Sequence, residues 1–359
     1  MKATYISPIQ TSDFPVNGSI QDQIKFCCQY GALAPSVHNL QPWSIDIKNK
    51  QLIVSVYKGH HAEDSDATGR QTWISIGCFV ENVLQAADAC GMKAKIVKQD
   101  HANNAIIIDF VASKSKYVDK QVLLNITSRV SNRNPFEPTK LTTQQLQKFK
   151  DLQKGIDGAQ LFVNTDKATI KLMTELTRQA VALALSIPRL KKELGQTFHA
   201  NSSSRKTGIP GYALGYGNLR SKFEGFRFSH LTVAPKESIK ESERVKASAG
   251  FVFITASGDI AKHWFAAGRL YERAALLLAE LGLSQATIAA TVEAPDFHQE
   301  VEKQIGTTNR LQAVIRFGKC DKKIAPSPRL GVEQLFTSNA SRDWCCASGD
   351  DALVCEQGC

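Results

Sequence analysis

Three observations predict a chain of two α+β domains. The pattern Trp-x3-Gly-x3-Glu-x9-Gly occurs as Trp73, Gly77, Glu81 and Gly91, and again 191 residues later as Trp264, Gly268, Glu272 and Gly282. A repeat of such long period points to two related domains fused in one chain, so work that normally needs a dimer can fall to a monomer. The length of 359 residues gives each domain room for its own core. Within each part, strand-like and helical stretches mix in hairpin-like neighbourhoods, which favours α+β over a doubly wound α/β fold.

The elements follow in order. Residues 20–33 place Ile20, Ile24, Cys27, Cys28 and Gly31 on one helical face, and Pro35 ends that helix. The stretch SIDIKNKQLIVSV alternates around Asn49-Lys50 and reads as a β-hairpin. The first repeat helix is expected from about Trp73 to Gly91. That interval is close to five turns, with both residues on one face and Gly91 suited to the C-cap. KAKIV and AIIIDFV read as strands, and the first domain, 1–115, closes in a run of Lys and Ser. The second domain, 116–336, opens with a helix from Asp119 to about Ser128 that turns Val122, Leu123 and Ile126 inward. Strand QLFV, a helix over 167–187, a loop-rich insertion over about 195–245 and strand GFVFITA follow. The second repeat helix, Trp264 to Gly282, and strand LQAVIRFG complete it. Residues 337–359 read as a disordered tail containing Cys345, Cys346, Cys355 and Cys359, without the spacing of a metal site.

Composition narrows the function. The net charge of +10 is spread along the chain, with no Lys/Arg block interleaved with aromatics and no nucleic-acid motif, so no nucleic-acid partner is expected. The N-terminus lacks an apolar signal segment, and the longest apolar runs are too short to span a bilayer. A cytoplasmic protein without a membrane partner is expected. Cys27, Cys28, Cys78 and Cys90 read as small buried hydrophobes. His60-His61 with Glu63, Asp64 and Asp66 could suggest a metal, but reads as a solvated loop before the repeat helix. No metal is expected.

Two strings carry chemistry. In Arg129-Val130-Ser131-Asn132-Arg133, Pro135 holds the preceding chain extended, so residues 129, 131 and 133 project to one side. Two guanidinium forks and a hydroxyl converging there would form a phosphate clamp; the alternative is a solvated basic turn. Ala34-Pro35-Ser36-Val37-His38-Asn39-Leu40-Gln41-Pro42-Trp43 sets a hydroxyl and two amides after a helix end, braced by two prolines. Such a loop suits the donor–acceptor edge of a flat heterocycle, or it satisfies its own backbone. His38 reads as a packing or surface histidine.

APSVHNLQPW resembles the APSxxNxQPW motif of the nitroreductase family, and RVSNR is similar to that family's RxSxR phosphate motif. ELGLSQATIAA resembles its Gly-Leu helix and following strand, and Ser327-Pro328-Arg329 its C-terminal basic residue. The resemblance covers most of residues 20–336. It implies two tandem nitroreductase-like domains forming an intramolecular pseudo-dimer, in the manner of the fused Acg-like branch, with FMN held at the domain interface. Arg129, Ser131, Arg133 and Arg329 would hold the phosphate and ribityl end. Pro35, Ser36, Asn39 and Gln41 would contact the isoalloxazine from the opposing domain. Ile288, Ala289 and Ala290 would lie along the ring, where many relatives have a Glu-Gly pair. The implied activity is an FMN-dependent NAD(P)H oxidoreductase acting on flat acceptors such as nitroaromatics or quinones, with no catalytic side chain beyond the flavin. The alternative is a flavin-sequestering protein with little turnover.

Family chains carry RxSxR first and APSxxNxQPW about thirty residues later. Here the loop precedes the Arg clamp by about ninety residues, so the two motifs belong to different copies. No Arg precedes Arg70, and no APSxxN string follows residue 140. One FMN per chain is therefore expected, in a monomer acting as its own dimer. Residues 195–230, rich in Gly, Ser and aromatics, read as a lid, with Tyr212, Tyr216, Phe223 or Phe226 shaping the pocket; a plain surface insertion is the alternative.

Overall fold

The computed structural model describes residues 9–337, apart from 116 and 295. The cysteine-containing tail beyond 337 lies outside the described residues. Helix α1 (Ile20–Gly31) starts on a capping box in which Ser19 and Asp22 satisfy each other's backbone N–H. Strands β1 (Trp43–Lys48) and β2 (Gln51–Val56) form the hairpin, with Asn49 in its turn at φ 54°. Helix α2 (Arg70–Ala89) begins three residues before Trp73. The loop sets that start, because the Asp66 carboxylate accepts from Gln71 N and Thr72 N at 2.8 Å each. Strands β3 (Lys93–Asp100) and β4 (Ala105–Val111) complete an antiparallel sheet of order β1-β2-β4-β3.

Helices α3 (Lys120–Ser128) and α4 (Thr143–Asp151) lead to strand β5 (Ala159–Asn164). Four helices follow: α5 (Lys167–Ser186), α6 (Pro188–Thr197), α7 (Asn218–His230) and α8 (Ala234–Lys246). Between α6 and α7 lie two short paired strands, β6 (Phe198–His199) and β7 (Ile209–Pro210). Strand β8 (Gly250–Ala256), helix α9 (Ala261–Glu280), strand β9 (Ser284–Thr287), the short helix α10 (Ala290–Glu293), α11 (Phe297–Ile305) and strand β10 (Arg310–Gly318) complete the order. The second sheet runs β5-β8-β10-β9 and is also antiparallel.

The two sheets share one connectivity. In each, two paired strands precede the repeat helix, and the next two strands return in the order fourth then third. They differ in the link between the first two strands. It is the turn at Asn49-Lys50 in the first sheet and all of α5–α8 in the second. The segment expected to be a loop-rich insertion over 195–245 is therefore mainly helical, and the insertion begins with α5. Two of the glycines there serve helix packing rather than loops. Gly195 and Gly225 mark a close crossing of α6 and α7, where a Cβ on Gly195 would sit 2.7 Å from the Gly225 carbonyl oxygen.

The repeat helices α2 and α9 pack on each other at the repeat glycines. A Cβ on Gly77 would lie 2.4 Å from Phe265 O, and one on Gly268 would lie 2.1 Å from Ile74 O. Ile74 and Phe265 hold the same repeat position, so the contact is reciprocal, as at a two-fold interface. The main core spreads from this crossing to both sheets, joining Trp43, Phe79 and Phe110 with Leu270, Leu278 and Phe317.

Candidate functional site

A cavity of about 700 Å³ opens beside the α2–α9 crossing. Its wall draws on the 33–39 loop after α1, the 129–133 segment after α3, residues 286–290 after β9, the α5–α8 insertion and residues 324–329. The structure thus brings Pro35, Ser36, Asn39, Arg129, Ser131, Arg133, Ile288, Ala289, Ala290 and Arg329 to one cavity.

The 129–133 segment is extended, with Ser131 bridged to Gln285 and Asn132 N donating to Gln285 O at 2.7 Å. The two guanidinium groups nevertheless do not converge. Residues four apart in an extended chain share a side but stand roughly 13 Å apart. Arg129 Nη2 donates to Leu33 O at 2.9 Å, and its Nε lies 3.2 Å from Glu272 Oε1. Arg133 instead reaches Ala213 O in the insertion, at 3.5 Å. Arg129 is joined by Arg329, whose Nη2 donates to Leu33 O at 3.3 Å and whose Nη1 donates to Asn39 Oδ1 at 2.6 Å. Leu33 O follows the end of α1, where carbonyls lack helical partners and attract cations.

Glu272 makes this corner unusual. Its repeat counterpart Glu81 is held by Arg269 Nε at 2.9 Å, Arg273 Nε at 2.6 Å and Gln85 Nε2 at 3.0 Å. The positions that would supply those arginines to Glu272 are Cys78 and Asn82. Glu272 is fully buried, with Arg129 as its one ion-pair partner among the described residues. Burial pushes its carboxyl up to about 7, against the pull of Arg129. Sequence reasoning assigned Glu272 to the repeat alone. The Cys78 and Asn82 substitutions at the matching positions were the signal that could have marked it.

The 34–43 loop is strained: His38, Asn39 and Gln41 have φ of 46°, 58° and 56°. Its amides hold that shape. Asn39 Nδ2 donates to Gly208 O at 3.0 Å and Pro328 O at 3.1 Å. Gln41 is wholly buried behind the wall and is absent from the cavity lining. Its Nε2 donates to Lys206 O at 2.7 Å and its Oε1 accepts from Leu330 N at 2.8 Å. Gln41 was expected to contact a ligand ring; here both ends of its amide are engaged by backbone. His38 lines the cavity, 3.2 Å from Ser65 Oγ, and burial lowers its pKa to about 4.

Of the aromatics expected to shape the pocket, Tyr216 lines it. Tyr212 donates to Pro326 O at 3.1 Å. Phe223 and Phe226 are 61% and 60% exposed on the outer face of α7 and do not line it. Leu194, Phe198, Leu214 and Phe228 supply the apolar roof instead. The 60–66 loop is also less solvated than expected, because His60 packs edge-on to Tyr57 and Asp66 caps α2. Among the described residues no group of three or more His, Cys, Asp or Glu side chains is placed to hold a metal, and no helix is long and apolar enough to cross a membrane.

No protein-family model matches the chain, and no curated protein does. Solved structures similar to it include a nitroreductase with bound FMN from Desulfitobacterium hafniense DCB-2, at 13% identity and TM-score 0.39, covering 57% of this chain and 92% of that one. The FMN-dependent nitroreductase NfnB from Mycobacterium smegmatis in complex with NADPH is 15% identical, with a TM-score of 0.40, covering 60% of this chain and 96% of that one. Oxidized iodotyrosine deiodinase bound to FMN and 3-iodo-L-tyrosine is 15% identical, with a TM-score of 0.35, covering 58% and 94%. Similarities this distant assign neither cofactor nor substrate to this chain.

Proposed function

We propose that this chain is an FMN-dependent NAD(P)H oxidoreductase of the nitroreductase type, built as an intramolecular pseudo-dimer with one flavin site. The observation that carries this reading is the cavity beside the α2–α9 crossing. It joins the 34–43 loop of the first half to the 129–133 segment of the second. The reciprocal glycine contact and the shared sheet connectivity support the pseudo-dimer. The asymmetric partners of Glu81 and Glu272 support one site per chain rather than two.

The residues present fit such a cofactor. Arg133 lines the cavity and makes no ion pair among the described residues, which leaves donors for a phosphate. Ile288, Ala289 and Ala290 offer a small, apolar wall suited to a planar ring. Pro35 and Ser36 would approach the ring edge. Asn39, together with Gln41 behind the wall, would act by fixing the loop, and Arg129 and Arg329 by anchoring Leu33. FMN, when bound, would supply the hydride-transfer chemistry. The chain's part is to hold the phosphate, orient the ring and exclude water through Leu194, Phe198, Leu214 and Phe228. A flat acceptor such as a nitroaromatic or quinone suits the apolar space beneath that roof.

Roofing of the cavity by α5–α8 favours a second reading, flavin sequestration with little turnover. Anaerobic addition of NADH or NADPH to the flavin-loaded protein separates the two. Rapid bleaching of the yellow colour supports the reductase, and a spectrum that stays oxidised supports sequestration.

A further inference from the structure

The cavity carries more positive charge than a clamp built on residues 129, 133 and 329 uses. Arg129 and Arg329 form one group, around Glu272 and Leu33 O. Arg133 belongs to a second group with Lys240, Arg244 and Arg316, and all four line the cavity. Lys240 and Arg244 stand one turn apart on α8 and therefore share a face. Glu237 and Glu241 lie on that face and also line the cavity. Glu237 is 3.4 Å from Lys240 but is also held by Arg227 at 2.7 Å, while Glu241 pairs with Arg244. Four cations against two carboxylates leave a formal excess of two positive charges.

Lys240 and Arg244 are partly exposed, at 31% and 12% of their side chains, but the floor of the group is shielded from water. Arg316 is 2% exposed; it donates to Asn134 O at 3.0 Å and stacks over the Phe136 ring at 4.1 Å, so its charge is fixed in place. Burial holds Arg133 below the usual guanidinium range and Arg316 at about 10; the attraction of Glu241 opposes this on both groups, and the smaller repulsion of Arg244 adds to it. A dianion would offset the positive charge left on these partly buried groups and accept charge-assisted hydrogen bonds from several directions.

We propose that Arg133, Lys240, Arg244 and Arg316 form a phosphate subsite, half of it supplied by helix α8 of the insertion, which takes the phosphomonoester of a bound nucleotide. The proposal rests on the flavin reading only for which nucleotide is bound. The phosphomonoester is either that of FMN or the 2′-phosphate of a reduced dinucleotide, and one experiment separates them. Wild-type protein and the double variant Lys240→Gln/Arg244→Gln are titrated with FMN and with riboflavin, which differ by the phosphate alone. The flavin-loaded proteins are then compared in KM for NADPH and NADH. A drop of about tenfold or more in the FMN-to-riboflavin preference supports the subsite and assigns it to flavin. The same drop in the NADPH-to-NADH preference supports it and assigns it to the dinucleotide. Both preferences unchanged would overturn it. If the wild type binds no flavin, the flavin reading fails on its own, and inorganic pyrophosphate becomes the probe. It should raise the unfolding temperature of the wild type and not of the double variant; equal shifts overturn the subsite. If the double variant does not fold, Arg244→Lys, which keeps the charge but loses the fork, and Lys240→Gln take its place under the same criteria.

Discussion

Gly268→Ala tests whether the α2–α9 crossing is what holds the two halves together. The added Cβ would meet Ile74 O at 2.1 Å, with Ile74 C and Cα both at 2.8 Å. Ordinary contact begins at 3.4 Å, so the helices must separate by about 1.3 Å at their closest point. The obstacle is backbone, which cannot rotate away as a side-chain tip could. Against this, replacing Gly by Ala in a helix interior contributes about 1 kcal/mol of intrinsic preference. Overpacking of a tight core typically costs about 1–3 kcal/mol, occasionally more. With a clash this deep against rigid atoms, the upper end applies, and a net loss of roughly 1–2 kcal/mol or more remains. Urea unfolding followed by circular dichroism reads it as a lower midpoint with unchanged slope. Gly77→Ala, meeting Phe265 O at 2.4 Å, should behave the same way. A Gly268→Ala protein as stable as the wild type, or more so, would refute the close crossing.

Further predictions concern the charged corner of the cavity. Glu272 has its folded-state pKa raised to about 7, so the folded state binds the extra proton, and this stabilisation is full below the ordinary carboxyl range and lost as pH rises towards 7. The difference in unfolding free energy between wild type and Glu272→Gln should therefore change between pH 5 and pH 8; parallel pH profiles would contradict the assignment. Arg129→Ala leaves Glu272 buried without its ion-pair partner, a loss on the order of 3–5 kcal/mol, whereas Arg133→Ala, which breaks no ion pair, should leave the urea midpoint nearly unchanged while weakening FMN binding. Equal stability of these two variants would argue against the split of the two arginines. Gln41→Ala removes hydrogen bonds to Lys206 O and from Leu330 N and should cost about 1–3 kcal/mol in the same unfolding measurement, even though the side chain never faces the cavity.

The sequence carried the repeat helices, the first hairpin and every sheet strand but β9, because each rests on local periodicity or turn chemistry; β9 was implied only by the family resemblance. The wall of the cavity was also legible in part. The extended 129–133 segment follows from Pro135, and the strings at 34–43, 129–133 and 288–290 do meet. What was not legible depended on distance through space. That Arg129 and Arg133 part company follows from strand rise combined with the positions of Leu33 and Ala213, and neighbouring residues encode neither. Glycines at a helix crossing look the same in a sequence as glycines in a loop, so Gly195 and Gly225 hid helices α6 and α7. The amides of Asn39 and Gln41 looked like ligand donors because their backbone partners, Lys206, Gly208, Pro328 and Leu330, lie far along the chain.

The proposed function places one flavin site in each chain, shared by two unequal halves. Titration of the ligand-free protein with FMN, followed by absorbance near the flavin band, tests it most directly. Saturation at one FMN per chain is expected. Saturation at two per chain, or no binding at all, would contradict it.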